Sequence, residues 1–498
     1  MDSAAWPQIL HDSNLIVFLS LATIMSFIFF IVLRFAGTRV SCGCDICQDY
    51  LKSTWTDQFL NLSDWYTHLL IKSPTRTIHI HVLNNTITAN PDNVEYMLKT
   101  NFDNFPKGKP FSAILGDFLG RGIFNVDGDL WRFQKKIASL ELGRVSVRAY
   151  FFEVVNHEVH RRLLPLLESV SISDEVVDLQ DVFRKFSFDS ICKFSFGLDP
   201  RCLELSLPLS EFAAAFDAAS KLSAQRATSA SPIVWKIKRI FNIGSERTLQ
   251  EAIGTVRLLA RDIITQRRKL GFSDQKDLLS RFMSIVGDED FLRDIIISFL
   301  LAGRDTVTSA LTSIFRLLAL HPAAEAAILE EADKVLGPYQ LGLTNYHQIL
   351  NLHQLNAAVY ESMRLYPPIQ FDSKFCLEDD LLPDGSFVRK GTRVTYHPYA
   401  MGRMEEIWGS DCSKFRPERW LRNGVFFPDP NPFKYPVFQG GVRVCLGKEL
   451  ALLELKTVTI SLLRRCRFEM VLSEESPRFS LGLTATLRDG LPVRVRAR

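Results

Sequence analysis

Ten residues toward the C-terminal end, Phe438-Gln-Gly-Gly441-Val-Arg443-Val-Cys445-Leu-Gly447, combine what a sulfur-ligated metal cofactor needs. A cysteine in apolar surroundings is ordinarily a small packed hydrophobe. Three features set Cys445 apart. Gly441 and Gly447, before and after it, would let backbone approach a flat ligand closely. The helical sequence from Lys448 to Leu463 follows at once, so Cys445 stands near a helix N-terminus, where the dipole and free amides favour thiolate over thiol. Arg443 supplies a fixed positive charge suited to a carboxylate such as a haem propionate. A thiolate on haem iron pushes electron density toward bound oxygen and favours O–O cleavage. The segment around Cys445 fits that chemistry.

A second group is Ala302-Gly303-Arg304-Asp305-Thr306-Val307, in the middle of a helix expected from about Asp290 to Leu320 and stopped by Pro322. Glycine inside a helix costs about 1 kcal/mol relative to alanine, so Gly303 needs either close packing or a function. Thr306 and Asp305 pair a hydroxyl with a carboxylate, which together can deliver the two protons that O–O cleavage consumes. A third group is Glu361-Ser-Met-Arg364, acid and base at i, i+3 on a helix spanning about Gln354 to Leu365 and closed by Pro367-Pro368. Such pairs are common on solvated helices. This one is followed by Phe415-Arg-Pro-Glu-Arg419-Trp420, which offers a further base.

The elements that must position these groups are mostly helical. The Asp290–Leu320 pattern is apolar almost all round, as in a helix buried through a protein's centre. Strand-like stretches occur at Thr77 to Leu83, near Val388 to Tyr396 and in the last twenty residues. No internal repeat and no glycine-rich βαβ opening is present. Leu15 to Leu33 is a charge-free run of 19 residues, long enough for a spanning helix of about 20 and longer than the ~7–15 of a cleavable signal core. No Lys or Arg precedes it, whereas Arg34, Arg39 and Lys52 follow, which places the rest of the chain in the cytosol. Asn61-Leu-Ser63 and Asn84-Asn-Thr86 match the glycosylation pattern, and cytosolic placement would leave them unmodified. The expected organisation is an anchor at 1–34, a juxtamembrane linker at 35–70 and a catalytic domain at 71–498.

Apolar residues make up 47% of the chain and Phe occurs 37 times, ample material for a large core. The formal charge of +3 and the absence of a basic repeat or stacking platform give no reason to expect nucleic acid as a partner. Nine cysteines, odd in number and thinly scattered, do not resemble a secreted disulfide framework and suit a reducing compartment. Cys42-Gly-Cys44-Asp-Ile-Cys47 is a tight cluster that could bind metal. No second pair or His set follows at a zinc-site spacing, so solvated or lipid-modified thiols are the expectation there.

The Phe438–Gly447 segment resembles the haem-binding signature of the cytochrome P450 superfamily, and the other two groups occur in that superfamily's order. The resemblance implies a mainly α fold with a small β subdomain, preceded by one N-terminal transmembrane helix, and haem b as cofactor with O2 as co-substrate. It implies that Glu361, Arg364 and Arg419 lock together for folding and haem retention. It also implies that Ala302 and Gly303 widen a groove for oxygen, that Thr306 hydrogen-bonds there, and that Asp305 relays protons. Trp131 fits the usual aromatic donor to a propionate, but Lys135 and Lys374 stand where Arg is common. Lysine keeps the charge and loses the planar fork. With no flavin or nicotinamide fingerprint, electrons are expected from NADPH through a separate NADPH–cytochrome P450 reductase.

A narrower resemblance runs through nearly the whole cytosolic part. Asp64-Trp-Tyr-Thr-His-Leu-Leu70, Ala89-Asn-Pro91, Asn104-Phe-Pro-Lys-Gly-Lys109, Gly122-Ile-Phe124, Phe371-Asp-Ser-Lys374 and Tyr396-His-Pro-Tyr-Ala-Met-Gly402 look like plant cytochrome P450 family 94. Glu141-Leu-Gly-Arg-Val-Ser-Val-Arg148 and the Cys42–Cys47 cluster resemble its subfamily C. The resemblance implies oxidation of the terminal carbon of fatty acids and of jasmonoyl-isoleucine. For subfamily C it implies especially the step from 12-hydroxy-jasmonoyl-isoleucine to the 12-carboxy acid. Plain fatty-acid ω-hydroxylation is one alternative, and isomerisation or dehydration of lipid hydroperoxides another. The implied setting is the endoplasmic reticulum membrane, single-pass, although the chain lacks the proline-rich hinge of many microsomal members, with no proline between Pro7 and Pro74. Phe111, Ala302, Val307, Ile369 and Phe371 are the expected pocket residues for an amphiphilic substrate. Lys107, Lys109 and Arg121 are candidates to meet its carboxylate.

Overall fold

The apolar run between Glu289 and Leu320 folds into a helix through the middle of the body, as its composition requires. Asp288 caps its start, accepting from the backbone N–H of Asp290 at 3.0 Å and of Phe291 at 3.3 Å. His321 closes it and Pro322 opens the next helix. By length and composition this helix could cross a membrane, but it is mostly buried inside the protein. Its regularity breaks once: Leu301–Asp305 is a π-helical turn, at the segment that carries Gly303. A Cβ on Gly303 would lie 2.3 Å from Ile191 Cδ1, so close packing against the helix Leu179–Phe196 requires the glycine. The helices His353–Leu365 and Lys448–Leu463 also pack on the central helix. Phe183, Phe216, Ile296, Leu311, Val458 and Leu462 are fully buried in the large helical core so formed.

The computed structural model describes residues 42–203, 211–229, 231–271, 276–338, 346–429, 431–471 and 476–498, with Ser20, Thr23, Met25 and Ser26. Apart from those four residues, the expected membrane span at Leu15 to Leu33 lies outside the described residues.

A smaller core lies under a four-stranded sheet. Thr77–Ile80 pairs antiparallel with Asn85–Thr88, which runs parallel to Arg393–Tyr396, which in turn pairs antiparallel with Asp372–Phe375. The strand expected through Leu83 stops at Ile80. His81–Leu83 form a 3-10 turn and Asn84 adopts a left-handed conformation, φ 46°, which asparagine tolerates better than most residues. That turn moves His81 out of the strand. The C-terminal strand Pro492–Ala497 pairs with Cys466–Met470 and Val176–Asp178. The Val388 to Tyr396 stretch is split into Phe387–Val388 and Arg393–Tyr396 by a turn at Gly391, φ 78°.

The stretch expected as a linker, 35–70, is more than a tether where it is described. Asp45–Lys52 and Leu62–Lys72 are helices, and Trp65, Tyr66 and Leu70 are buried in the smaller core. Asn61 is buried too. Its Nδ2 donates to Asp64 at 2.7 Å and to the Pro477 carbonyl at 2.9 Å, which leaves that amide no room for a glycan in the folded chain.

Glu361, Arg364 and Arg419 meet beneath the helical core. Arg364 Nε and Nη2 each donate to Glu361 at 2.8 Å, and both side chains are wholly buried. Trp420 Nε1 and the Arg416 backbone N–H complete the Glu361 shell, each at 2.9 Å. Arg419 reaches Glu361 at 3.5 Å and Asp411 at 2.8 Å. Arg364 also donates to the carbonyls of Gly402, Cys412 and Lys414. Every charge is matched by hydrogen bonds, as burial demands.

Candidate active site

Cys445 is set by the backbone on both sides of it. Its N–H donates to the Phe438 carbonyl at 2.8 Å, closing the loop. Gly447 caps the helix Lys448–Leu463, so the free backbone N–H groups of that helix start stand beside Cys445. Burial raises the Cys445 thiol above its usual range, and those amides with the Lys448 charge pull it back down. The sulfur is ringed by protein yet open on the side of a cavity. Gly441 serves a different purpose from the expected one. At φ 59° its Cβ would lie 2.1 Å from the Leu98 carbonyl, so its close approach is to the protein's own backbone.

The cavity measures about 910 Å³, at the upper end of the roughly 300–1,000 Å³ usual for small-molecule sites. The central helix contributes Ala302, Gly303, Thr306 and Val307 to its wall, opposite Phe438, Cys445 and Gly447. Phe111, Ile369 and Phe371 line it as well. Thr306 Oγ1 donates to the Ala302 carbonyl at 2.5 Å, across the π-helical turn. Asp305 does not line the cavity. Its carboxylate lies 3.3 Å from buried Arg304, which also binds Asp217 at 2.7 Å. Burial raises the Asp305 carboxyl to about 6, against the pull of Arg304. The extra residue in the π turn sets the directions of neighbouring side chains apart, and adjacency in sequence does not reveal that.

At one end of the cavity cations gather. Arg443 lies over the Trp131 ring at 4.4 Å, donates to Asp127 at 2.6 Å and to the Val126 carbonyl at 2.9 Å, and leaves its buried Nε without a partner among the described residues. Lys135 donates to the Val442 carbonyl. Lys374 is fully buried and pairs with Asp372 at 3.0 Å, while Lys107 holds the other oxygen of Asp372 at 2.5 Å. Burial pushes the Asp372 carboxyl up, but the two lysines hold it well below the usual carboxylate range. Burial drives Lys374 down to about 7, with Asp372 opposing, and lowers Lys135 and Arg443 too.

Residues 71–490 match the family model for cytochrome P450. The chain belongs to the cytochrome P450 family. It is 56% identical over 487 residues to cytochrome P450 94C1 of Arabidopsis thaliana, covering 96% of this chain and 98% of that one. Cytochrome P450 94B1 of the same plant is 46% identical over 88% of each chain, and cytochrome P450 94A1 of Vicia sativa 41% over 87% and 86%. This P450 is therefore a family 94 member, a monooxygenase of the kind that uses haem, O2 and an electron-donating partner. The crystal structure of the cytochrome P450DA heme domain superposes with a TM-score of 0.69 over 83% of this chain and 88% of that one, at 20% identity, and shares the fold.

The cation-rich end fits the two carboxylates of a haem. Among the described residues, Lys107, Lys135, Lys374 and Arg443 pair only with Asp372 and Asp127, so a dianion would offset their excess charge. The orphaned Arg443 Nε is a donor awaiting such a group. Trp131 adds an aromatic wall beside Arg443 and Lys135.

Among the expected carboxylate partners for substrate, Lys109 and Arg121 are exposed and off the cavity, and Lys107 is engaged by Asp372. Arg393 is a further cation on the cavity wall. It lines the cavity near Tyr50 and Thr228, held by Ser373 Oγ at 2.9 Å and the Ala227 carbonyl at 2.8 Å. Burial lowers its pKa, and no ion pair to it occurs among the described residues. Nothing in its local sequence marks it. Glu454 was also missed: it lines the cavity, its Oε1 lacks a partner among the described residues, and burial raises its carboxyl to about 8. A carboxylate inside the apolar run Leu450-Ala-Leu-Leu-Glu454-Leu was the available signal.

Proposed function

We propose that this P450 oxidises the terminal carbon of an elongated amphiphilic carboxylate, chiefly 12-hydroxy-jasmonoyl-isoleucine to its 12-carboxy form. Medium-chain fatty-acid ω-oxidation is a secondary activity. The observation that carries the reading is an apolar cavity with Cys445 on its wall and, lining the same cavity, a partly buried arginine, Arg393, with no ion pair among the described residues. The likeness to family 94 supports the substrate class.

When bound, haem supplies the oxygen-activating redox chemistry that side chains lack. Cys445 would hold its iron through sulfur, and Trp131, Lys135, Lys374 and Arg443 would hold its propionates. Arg393 anchors the substrate carboxylate, so the far end of the chain is the part that threads inward. Phe111, Ala302, Val307, Ile369 and Phe371 exclude water along that path. Thr306 holds a proton at Oγ1 beside the site, and Asp305, poised near neutrality by burial, is the reservoir one step behind it. Conversion of alcohol to acid proceeds by successive turnovers through the aldehyde. Electrons come from NADPH through a separate reductase. The body sits on the cytosolic face of the endoplasmic reticulum, tethered by the span at 15–33.

The test is product formation by the full chain in reductase-supplied microsomes. The reading requires dependence on both NADPH and O2, and loss of the red-shifted carbon monoxide band in Cys445→Ser. Turnover of lipid hydroperoxides without NADPH would instead mark an isomerase or dehydratase.

A further inference from the structure

The cysteines ahead of the body meet a histidine from the first hairpin. Cys42 and Cys44 precede the helix Asp45–Lys52, Cys47 lies in its first turn, and His81 stands in the bend between the first two strands. The four ligand atoms all lie within 4.8 Å of one another. Cys42 Sγ and Cys44 Sγ are 3.3 Å apart, and His81 Nδ1 is 3.8 Å from Cys44 Sγ and 3.9 Å from Cys47 Sγ. In a tetrahedral zinc site, bonds of about 2.3 Å to sulfur and 2.0–2.1 Å to nitrogen set ligand atoms roughly 3.5–3.8 Å apart. We propose that Cys42, Cys44, Cys47 and His81 form a closed, structural Zn2+ site.

The surroundings are built for it. His79 sets its ring edge-on to His81 at 4.8 Å and is itself held by Thr86 Oγ1 at 2.9 Å, which fixes the His81 orientation. Three thiolates and an imidazole are soft donors that select zinc over magnesium, calcium or manganese. Four protein ligands leave no open position, so the role is structural. Binding sends thiol protons to solvent, and no electron moves.

The metal has work to do here. Cys47 is the only buried residue of the eight-residue helix Asp45–Lys52, too short to be stable alone. The segment it starts lines the cavity through Tyr50, Leu51, Ser53 and Trp55, and Tyr50 donates to the Thr228 carbonyl at 2.6 Å. Zinc would fasten this flap of the cavity mouth to the sheet that carries Arg393. It would also stiffen the junction between anchor and body in a chain that has no proline from Pro7 to Pro74.

The test is metal counting on the full-length holoenzyme, expressed in zinc-replete medium and purified without a histidine tag, with haem iron as the internal standard. One zinc per haem is expected. His81→Asn, and separately Cys44→Ser with Cys47→Ser, should bring that ratio below about a fifth, with the carbon monoxide band unchanged. Zinc near zero in the wild type, or unaltered in variants that retain haem, would overturn the proposal. Should the variants fail to fold, zinc X-ray absorption on the wild type decides: three sulfurs at about 2.3 Å and one nitrogen support the site, and a shell of oxygen and nitrogen alone overturns it.

Discussion

Thr306 spans the π-helical turn of the central helix, its hydroxyl donating to the Ala302 carbonyl at 2.5 Å from a position on the cavity wall. The bond keeps a proton donor next to the site while the bulge holds the groove open. Thr306→Ala should therefore keep haem content and substrate affinity but release electrons as peroxide, lowering product per NADPH severalfold. Parallel assays of NADPH, product and peroxide measure this; unchanged coupling would leave the hydroxyl a purely structural role.

The buried Glu361–Arg364 pair supports folding. Removing one partner strands an uncompensated charge, at a cost of about 3–5 kcal/mol. Glu361→Ala and Arg364→Ala should each yield chain without the carbon monoxide band. Arg419→Lys, at the slightly exposed edge of the network, should keep most of it.

Glu454 makes stability depend on pH. Its folded carboxyl titrates near 8, above the ~4.3 of an unfolded glutamate, so between these values the folded state holds the extra proton. Its contribution is full below the unfolded value and is lost as pH rises toward 8. Glu454→Gln should accordingly raise Tm at pH 8 by more than at pH 5, and an equal shift at both would show that the carboxyl is not held neutral.

Arg393 should govern affinity and spare chemistry. Arg393→Ala is expected to raise KM for a carboxylate substrate tenfold or more, about 1.4 kcal/mol, with little change in kcat. KM for the corresponding methyl ester should hardly move, a contrast that a merely structural arginine would not produce.

Much of the site was legible because its signals are local. The Cys445 loop, the apolar helix ending before Pro322 and the Glu361/Arg364 spacing each lie within a short stretch of chain. What escaped is non-local. Lys374 owes its state to Asp372 and to Lys107, which comes from a segment more than two hundred residues earlier. Asp305 turns from the cavity because a π turn, invisible in the residue pattern, interrupts the helix. His81 reads as one more strand residue until Asn84 bends the hairpin and carries it to the cysteines. Arg393 lies on a strand whose partners are remote in sequence.

The substrate assignment is tested most directly by side-by-side kinetics of the reductase-coupled enzyme on 12-hydroxy-jasmonoyl-isoleucine, jasmonoyl-isoleucine and laurate. The highest kcat/KM is expected on the hydroxylated conjugate, with the 12-carboxy acid as product. If laurate instead leads by a hundredfold or more, about 2.7 kcal/mol of transition-state preference, the hormone-conjugate assignment is contradicted and plain fatty-acid ω-hydroxylation takes its place.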